Sequence, residues 1–246
     1  MQATHVRNKL HLYGPKIISV LAAVFMLAAS AHAQKIKFTR KNNPNYDNRT
    51  ITYGFLIGLH TSAYQIKYAD RFVTQDFDTV HSVIPAWTPG FSLGFIVNYR
   101  ATEFLDLRIT PKVAFYEHSL TYRYTDETEN EQRVETTMVE FPILLKYKSV
   151  RRGNIRMYMV GGIKPAIEAA GKKQIENITS TLEVNQFGMN LEAGFGFDLY
   201  YPLFKFSPEL RFSRGMVDVL ENKTNDFGLP LKRINTNTIT LYLLFQ

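Results

Sequence analysis

The sequence predicts an all-β protein, specifically an eight-stranded antiparallel transmembrane β-barrel. The clearest sign is Gln186–Tyr200, where every second residue from Phe187 to Leu199 is apolar and the intervening residues are small or polar. Since strand side chains alternate faces, this segment forms a strand with one apolar and one polar face. It is long enough to cross a bilayer. A strand of a soluble sandwich is the alternative, and the rest of the chain decides between the two.

Seven further segments alternate in the same way, giving an even number of strands. The predicted strands are Ile51–Ala63, Gly90–Arg100, Phe104–Tyr116, Glu135–Lys148, Asn154–Ala166, Gln186–Tyr200, Phe204–Ser213 and Asn237–Gln246.

The connections between these strands alternate strictly between long and short. Short turns occur at 101–103, 149–153 and 201–203, and long polar segments separate the other strands. Outer-membrane barrels have short periplasmic turns and long extracellular loops, a rhythm that a soluble sandwich has no reason to keep. We therefore expect a multi-pass outer-membrane barrel with both the N- and C-termini in the periplasm.

Residues 1–33 have the layout of a secretory signal peptide. Three basic residues precede the weakly apolar run 17–29, and Ala31-His32-Ala33 forms a cleavage site. The run is short for a transmembrane helix of about 20 residues, although an uncleaved anchor is the alternative. Residues 34–50, basic, rich in Asn and broken by Pro44, are expected to form an extended periplasmic lead-in, and 51–246 the barrel.

Composition excludes several function classes. The chain has no cysteine, which rules out disulfides, thiol catalysis and thiolate metal sites. Loss of residues 1–33 removes three basic residues and no acid, which lowers the formal charge from +7 to +4. The remaining Lys and Arg are scattered, so nucleic acid is not an expected partner.

Three local features leave open questions in this scheme. Pro142 lies inside the fourth predicted strand, where it cannot donate to the ladder, and a bulge is expected there. The fifth strand, Asn154–Ala166, has an uncertain phase, and Leu144 interrupts the polar face of the fourth.

The acidic segment 125–132 is predicted to be a solvated hairpin tip rather than a metal site.

The polar faces predict a filled lumen. An eight-stranded barrel is only wide enough to hold its own side chains, and charges in such an interior must pair. A salt-bridged interior is therefore expected rather than an ion channel. The predicted lumen residues are His60, Arg100, Asp106, Arg108, Lys112, Glu140, Lys146, Arg156, Lys164, Glu192, Asp198, Lys205, Glu209 and Arg211.

No catalytic, cofactor-binding or metal-ligating residues are predicted, and neither a cofactor nor a small-molecule substrate is expected. His118 and Ser119 are adjacent, but neighbours on a strand face opposite ways. Gly161-Gly162 indicates close packing in a barrel strand rather than a phosphate cradle. The protein is expected not to be an enzyme.

Several segments together resemble the PorT family (also called SprT) of Bacteroidota. They are PNYDNR at 44–49 leading into ITYGFLIGL, PGF at 89–91, FLDLRITP at 104–111, VEFPILLKYKS at 139–149 and NIRMYMVGG at 154–162. The resemblance covers residues 44–165 and implies an outer-membrane component of the type IX secretion and gliding machinery. That machinery exports cargo with C-terminal signal domains to the cell surface.

A barrel with a filled lumen leaves no path for an exported protein, so the implied role is that of an assembly or accessory subunit. The expected partners are the outer-membrane bilayer and other type IX subunits, with the lead-in 34–50 and the turn Arg151-Arg152 as candidate contacts. The alternative function is a stand-alone small barrel, an adhesin or minor porin, that acts through its extracellular loops.

Overall fold

The computed structural model describes residues 41–69, 72, 80–126, 128–169, 187–220 and 229–246. The predicted signal peptide, the first part of the lead-in and most of two long connections lie outside the described residues. Within the described ranges, no helix is long and apolar enough to cross a membrane.

The described chain is built from antiparallel strands and one short 3-10 helix, Tyr46–Asn48. The strands are β1 (Ile51–Tyr68), β2 (Val80–Ala86), β3 (Thr88–Arg100), β4 (Leu105–Ile109), β5 (Lys112–Tyr124), β6 (Glu129–Glu140), β7 (Ile143–Lys148), β8 (Ile155–Glu168), β9 (Phe187–Tyr200), β10 (Lys205–Gly215) and β11 (Leu231–Phe245).

The sheet closes on itself as an eight-stranded barrel. Each strand pairs with its neighbours around the ring, β8 pairs with β9, and β1 pairs with β11 to complete the circle. In this ring, β4 with β5 and β6 with β7 each act as one strand. The short turns lie at one end, called the turn end, and the long connections at the other, called the loop end.

Two prolines interrupt strands without shifting their register. Lys112 pairs with Glu140 on one side of the break and Ile109 with Ile143 on the other, so the pairing is continuous past Pro111 and Pro142. The predicted bulge at Pro142 is therefore wrong. The two prolines occur at the same level of adjacent strands. The hydrogen bonds that proline cannot donate are therefore missing at a single level of the sheet.

The outward face is apolar and the inward face polar, as predicted for a membrane barrel. Outward side chains such as Phe95 and Met159 are 70% and 65% exposed. The phase of β8 is now defined: Met157 faces outward, whereas Tyr158 is buried in the lumen. Leu144 also faces the lumen.

At the loop end the barrel wall extends further than predicted. β1 continues to Tyr68, and β2, inside a segment predicted to be a loop, pairs with the upper half of β5. The Tyr68 hydroxyl bridges β2 to β1 by donating to the Val83 carbonyl at 2.9 Å. The interior here is apolar. We call the following residues the loop-end cluster: Tyr64, Val80, Val83, Leu120, Tyr122, Val134, Val219, Leu220, Leu231 and Ile234.

The hairpin of β5 and β6 ends in a tight polar tip. Tyr124 donates its backbone N–H to the Thr128 carbonyl at 3.0 Å, so the tip is shorter than the predicted 125–132. The hydroxyl and N–H of Thr128 donate to Asp126 and hold the pKa of this exposed carboxyl below its ordinary value.

Candidate functional site

A row of ion pairs crosses the middle of the lumen. Glu209 accepts hydrogen bonds from Arg108, at 2.8 Å, and from Arg211. Arg211 also donates to Glu192 at 2.8 Å. These side chains are at most 1% exposed, so protein groups rather than water neutralise each charge.

The row continues from Glu192 toward the loop end. Lys164 lies 3.6 Å from Glu192 and 2.9 Å from Glu140. Lys112 binds the same Glu140 at 3.0 Å, and the Tyr116 hydroxyl donates to it at 2.7 Å. One carboxylate therefore joins three strands of the wall.

Two further carboxylates lie toward the turn end. Both oxygens of Asp198 accept hydrogen bonds from Lys146, at 2.7 and 2.9 Å. Asp106 pairs with Lys148 at 2.5 Å and accepts a hydrogen bond from Asn98 at 2.9 Å. These contacts join side chains from β3, β4, β7 and β9.

These buried charges form one set, which we call the lumen network. Seven members are basic and five are acidic, so the network carries an excess of two positive charges. The members are Asp106, Arg108, Lys112, Glu140, Lys146, Lys148, Lys164, Glu192, Asp198, Lys205, Glu209 and Arg211.

Aromatic rings fill the space between the charges. The Nζ of Lys146 lies 3.7 Å from the ring centroid of Tyr158, and that of Lys112 lies 4.5 Å from the centroid of Tyr242. Both contacts are cation–π interactions. A Cβ at Gly196 would lie 2.6 Å from the Tyr158 hydroxyl, so this inward glycine makes room for the ring.

The segment Lys41–Thr50 packs on the turn end of the barrel, and we call it the N-terminal cap. Its contacts are polar and partly buried. The Asn42 side chain donates to the Tyr200 carbonyl at 3.0 Å, and its backbone N–H donates to Asn154 at 2.9 Å. Arg100 donates its N–H to the Thr50 carbonyl at 2.8 Å.

Asp47 is the main anchor of the N-terminal cap. Its carboxylate accepts hydrogen bonds from the Tyr200 hydroxyl at 2.7 Å, from Arg156 at 3.2 Å and from Arg151 at 3.4 Å. Tyr46, buried beside it, meets the Tyr200 ring edge-on at 6.0 Å. The cap thus lies over the lumen network at the turn end.

The structure buries every predicted lumen residue except Arg100, which is half-buried. Lys148 belongs to the network but was missed, although its position two residues after Lys146 was the available signal. Asp47 was also missed, because nothing in the local sequence shows that the segment turns back onto the barrel. Arg151, one of the two predicted partner contacts, binds the cap, and its role toward a partner stays a prediction.

Near the loop end, four aromatic rings lie in contact in a column. His60 lies 4.4 Å from Tyr116, and His118 lies 4.2 Å from Tyr64, between ring centroids. A cavity of about 60 Å³ borders this column. The hydroxyl of Ser119, the residue next to His118, donates a hydrogen bond to Glu131 at 2.7 Å.

Among the described residues, no group of three or more His, Cys, Asp or Glu side chains is arranged to hold a metal ion. The chemistry that the lumen supports is charge pairing between strands that are distant in sequence. Such pairs fix the register of the wall and fill the space inside it.

The fold and lumen together define a closed, charge-filled eight-stranded membrane barrel. The family described as "Outer membrane protein beta-barrel domain" matches residues 32–221, and the chain belongs to this family. No curated protein sequence is significantly similar to the chain.

Three solved structures are similar to the chain. Neisserial surface protein A (NspA) has 10% identity and a TM-score of 0.42, over 80% of this chain and 98% of its own. OprG from Pseudomonas aeruginosa has 12% identity and a TM-score of 0.43, over 78% and 92%. Ail, the attachment invasion locus protein of Yersinia pestis, has 10% identity and a TM-score of 0.31, over 78% and 96%.

Proposed function

We propose that the protein is a non-catalytic assembly or accessory subunit of the type IX secretion machinery, which exports cargo with C-terminal signal domains. The observation that carries this proposal is the ordered set of segments between residues 44 and 165 that resembles the PorT family. In this proposal the turn end, the N-terminal cap and the last strand face the periplasm, and the loop end faces the outside.

The filled lumen supports an accessory role rather than a conduit. The lumen network occupies the middle of the barrel, and the N-terminal cap lies over its turn end. A protein substrate would have to displace paired buried charges, which costs several kcal/mol for each pair broken. The exported cargo therefore passes elsewhere in the machinery.

A partner subunit would meet the turn end. Arg151 is committed to the cap, whereas its neighbour Arg152 is exposed. Two apolar side chains at the same end, Val150 and Leu203, are 64% and 94% exposed. We propose that Arg152 and these side chains take part in the contact with other subunits.

The decisive experiment uses a strain that lacks the gene. We expect cargo with the C-terminal signal domain to accumulate in the periplasm, and a plasmid copy to restore it to the cell surface. Cargo that reaches the surface normally in the deleted strain would exclude the type IX role.

A paired complementation localises the partner contact. Arg152→Glu should fold normally and restore less cargo export than the wild-type gene. The matched control is Arg123→Glu, which reverses an exposed charge at the loop end. Equal export by both variants would remove the turn end from the proposal.

One observation favours the alternative, a small barrel that acts through its loops. The wall extends beyond its apolar outer band at the loop end and has its own apolar core there. Deletion of residues 121–132 with a short turn in their place tests this alternative. Loss of surface binding with normal cargo export would support it, and the reverse result would support secretion.

A hydrolase assay on lipid substrates, expected to be negative, tests the absence of catalysis.

A further inference from the structure

A small chamber lies beneath the N-terminal cap, at the turn end of the lumen. Its volume is about 20 Å³, and its lining includes five basic and three acidic side chains. A space of this size is large enough for one water-sized or halide-sized species. The five positive charges of this lining therefore outnumber the three negative charges by two.

The first of the three carboxylates is fully engaged. Both oxygens of Asp198 accept hydrogen bonds from Lys146, and one also accepts from the Ser207 hydroxyl at 2.6 Å. Lys205 lies further away, with its Nζ 4.0 Å from the nearer oxygen.

The other two carboxylates are also engaged. Asp106 pairs with Lys148 at 2.5 Å and accepts from Asn98. Asp47 lies between two arginines outside the lining, Arg151 and Arg156, and also accepts from a tyrosine hydroxyl. Each acid of the lining therefore has a closer basic partner than any of the remaining three cations among the described residues.

Those remaining cations are Lys205, Arg49 and Arg100. Lys205 is 4% exposed, and its Nζ lies 4.0 Å from Asp198, which is beyond hydrogen-bond distance. Its Nζ also lies 4.6 Å from the centroid of the Tyr46 ring. Arg49 contacts the same ring at 5.5 Å, and Arg100 makes no side-chain ion pair within the described ranges.

We propose that this chamber is a binding site for a small monovalent anion of the size of chloride, held by Lys205 and the guanidinium groups of Arg49 and Arg100. A buried ammonium group whose nearest carboxylate oxygen is 4.0 Å away is only partly compensated, and a nearby anion lowers that cost. The same anion compensates part of the positive excess of the lumen network. The two arginines lie on the more exposed side of the chamber and attract anions toward it.

The site has a structural consequence for the N-terminal cap. Tyr46 and Asp47 of the cap line the chamber together with Lys205 of β10. An anion bound among them therefore stabilises the cap on the barrel, and the stability of the folded protein depends on anion concentration.

The test is thermal unfolding of the full-length protein in detergent micelles, with sodium chloride replacing sodium gluconate at constant ionic strength. We expect the midpoint to rise by about 2–4 °C and to saturate, because the anion binds only the folded state. A midpoint that is the same in both salts would overturn the proposal.

Two variants separate the site from a general charge effect. Lys205→Met should abolish the chloride-dependent rise. Lys67→Met, which removes one exposed positive charge at the loop end, should keep it. Equal loss of the rise in both variants, or its full retention in Lys205→Met, would mean that the chamber is not the site.

A direct measurement covers the case in which Lys205→Met fails to fold. Crystals of the wild-type protein grown in bromide should give an anomalous scattering peak in contact with the Nζ of Lys205. Anomalous peaks at surface positions only would overturn the proposal. Neither result depends on cargo export, so the proposal stands or falls separately from the secretion role.

Discussion

The interior of the barrel differs between its middle and its loop end. In the middle, buried charges such as Arg108 and Glu209 form ion pairs while the outer face is apolar. At the loop end, Leu120 and Ile234 are buried inside while Arg123 and Glu129 are exposed outside. The same strands carry both patterns.

Within β5 the inward face changes from charged to apolar, and the outward face changes from apolar to charged. Lys112 faces inward and Phe115 outward near its start, whereas Leu120 faces inward and Arg123 outward near its end. The polarity of the outward-facing side chains matches the solvent around that part of the wall. Lipid favours apolar side chains, and water favours charged ones. The change near residues 116–119 therefore marks where the wall leaves the bilayer.

The largest effect is expected in the middle of the lumen. Glu209→Leu removes the carboxylate that Arg108 and Arg211 share, leaving two buried guanidinium groups undercompensated. We expect the free energy of unfolding to fall by about 3–5 kcal/mol, measured by urea unfolding in lipid vesicles. Glu129→Leu, on the exposed hairpin, is the control and should change it little. Similar losses in both would show that the lumen charges are not structurally coupled.

A smaller loss is expected in the apolar interior of the loop end. Ile234→Ala leaves a cavity in the loop-end cluster and should lower the free energy of unfolding by about 2–3 kcal/mol. Lys67→Ala, an exposed site on the neighbouring strand β1, is the control for the same urea measurement. If both variants unfold like the wild type, the cluster does not stabilise the barrel.

The N-terminal cap should contribute less. Asp47→Asn weakens the contacts with Arg151, Arg156 and the Tyr200 hydroxyl, and we expect a loss of about 1–3 kcal/mol. Hydrogen exchange at the Asn42 amide should accelerate at the same time. Asp126→Asn at the hairpin tip is the control. Unchanged exchange in Asp47→Asn would mean that the cap is held by other contacts.

The smallest effect is expected for the exposed pair Arg123–Glu129, at 2.8 Å with both side chains about half exposed. A double-mutant cycle should give about 0.2–1 kcal/mol, and 1 M salt should abolish it. The buried pair Lys112–Glu140 should keep its coupling energy in the same salt. Equal salt sensitivity would remove the distinction between the two interiors.

The alternation of apolar and polar residues along each strand made the barrel and most of its interior predictable. The faces of β9 follow directly from the order of residues from Phe187 to Leu199, and the opposed charges of the polar faces predicted paired ions. Which charges pair was not predictable, because Arg108 meets Glu209 only after the ring has closed.

The exceptions each have a physical cause. β2 was missed because it contains Pro85, and its place in the wall depends on pairing with β5 and on Tyr68. Pro142 gave no bulge, since the pairing keeps one register past Pro142 and past Pro111 on the neighbouring strand. The N-terminal cap was invisible in the sequence because its partner groups come from β8, β9 and the turn before β8.

The closure between β1 and β11 also constrains the order of folding. Leu59 pairs with Leu241, so about 180 residues must be in place before the two strands meet. Contacts of such long sequence separation form slowly. Until then the sheet has two unpaired edges, each of which offers a row of free backbone groups to any other extended chain. A catalyst of barrel assembly would therefore act most effectively by holding these two edges apart from other chains until they find each other.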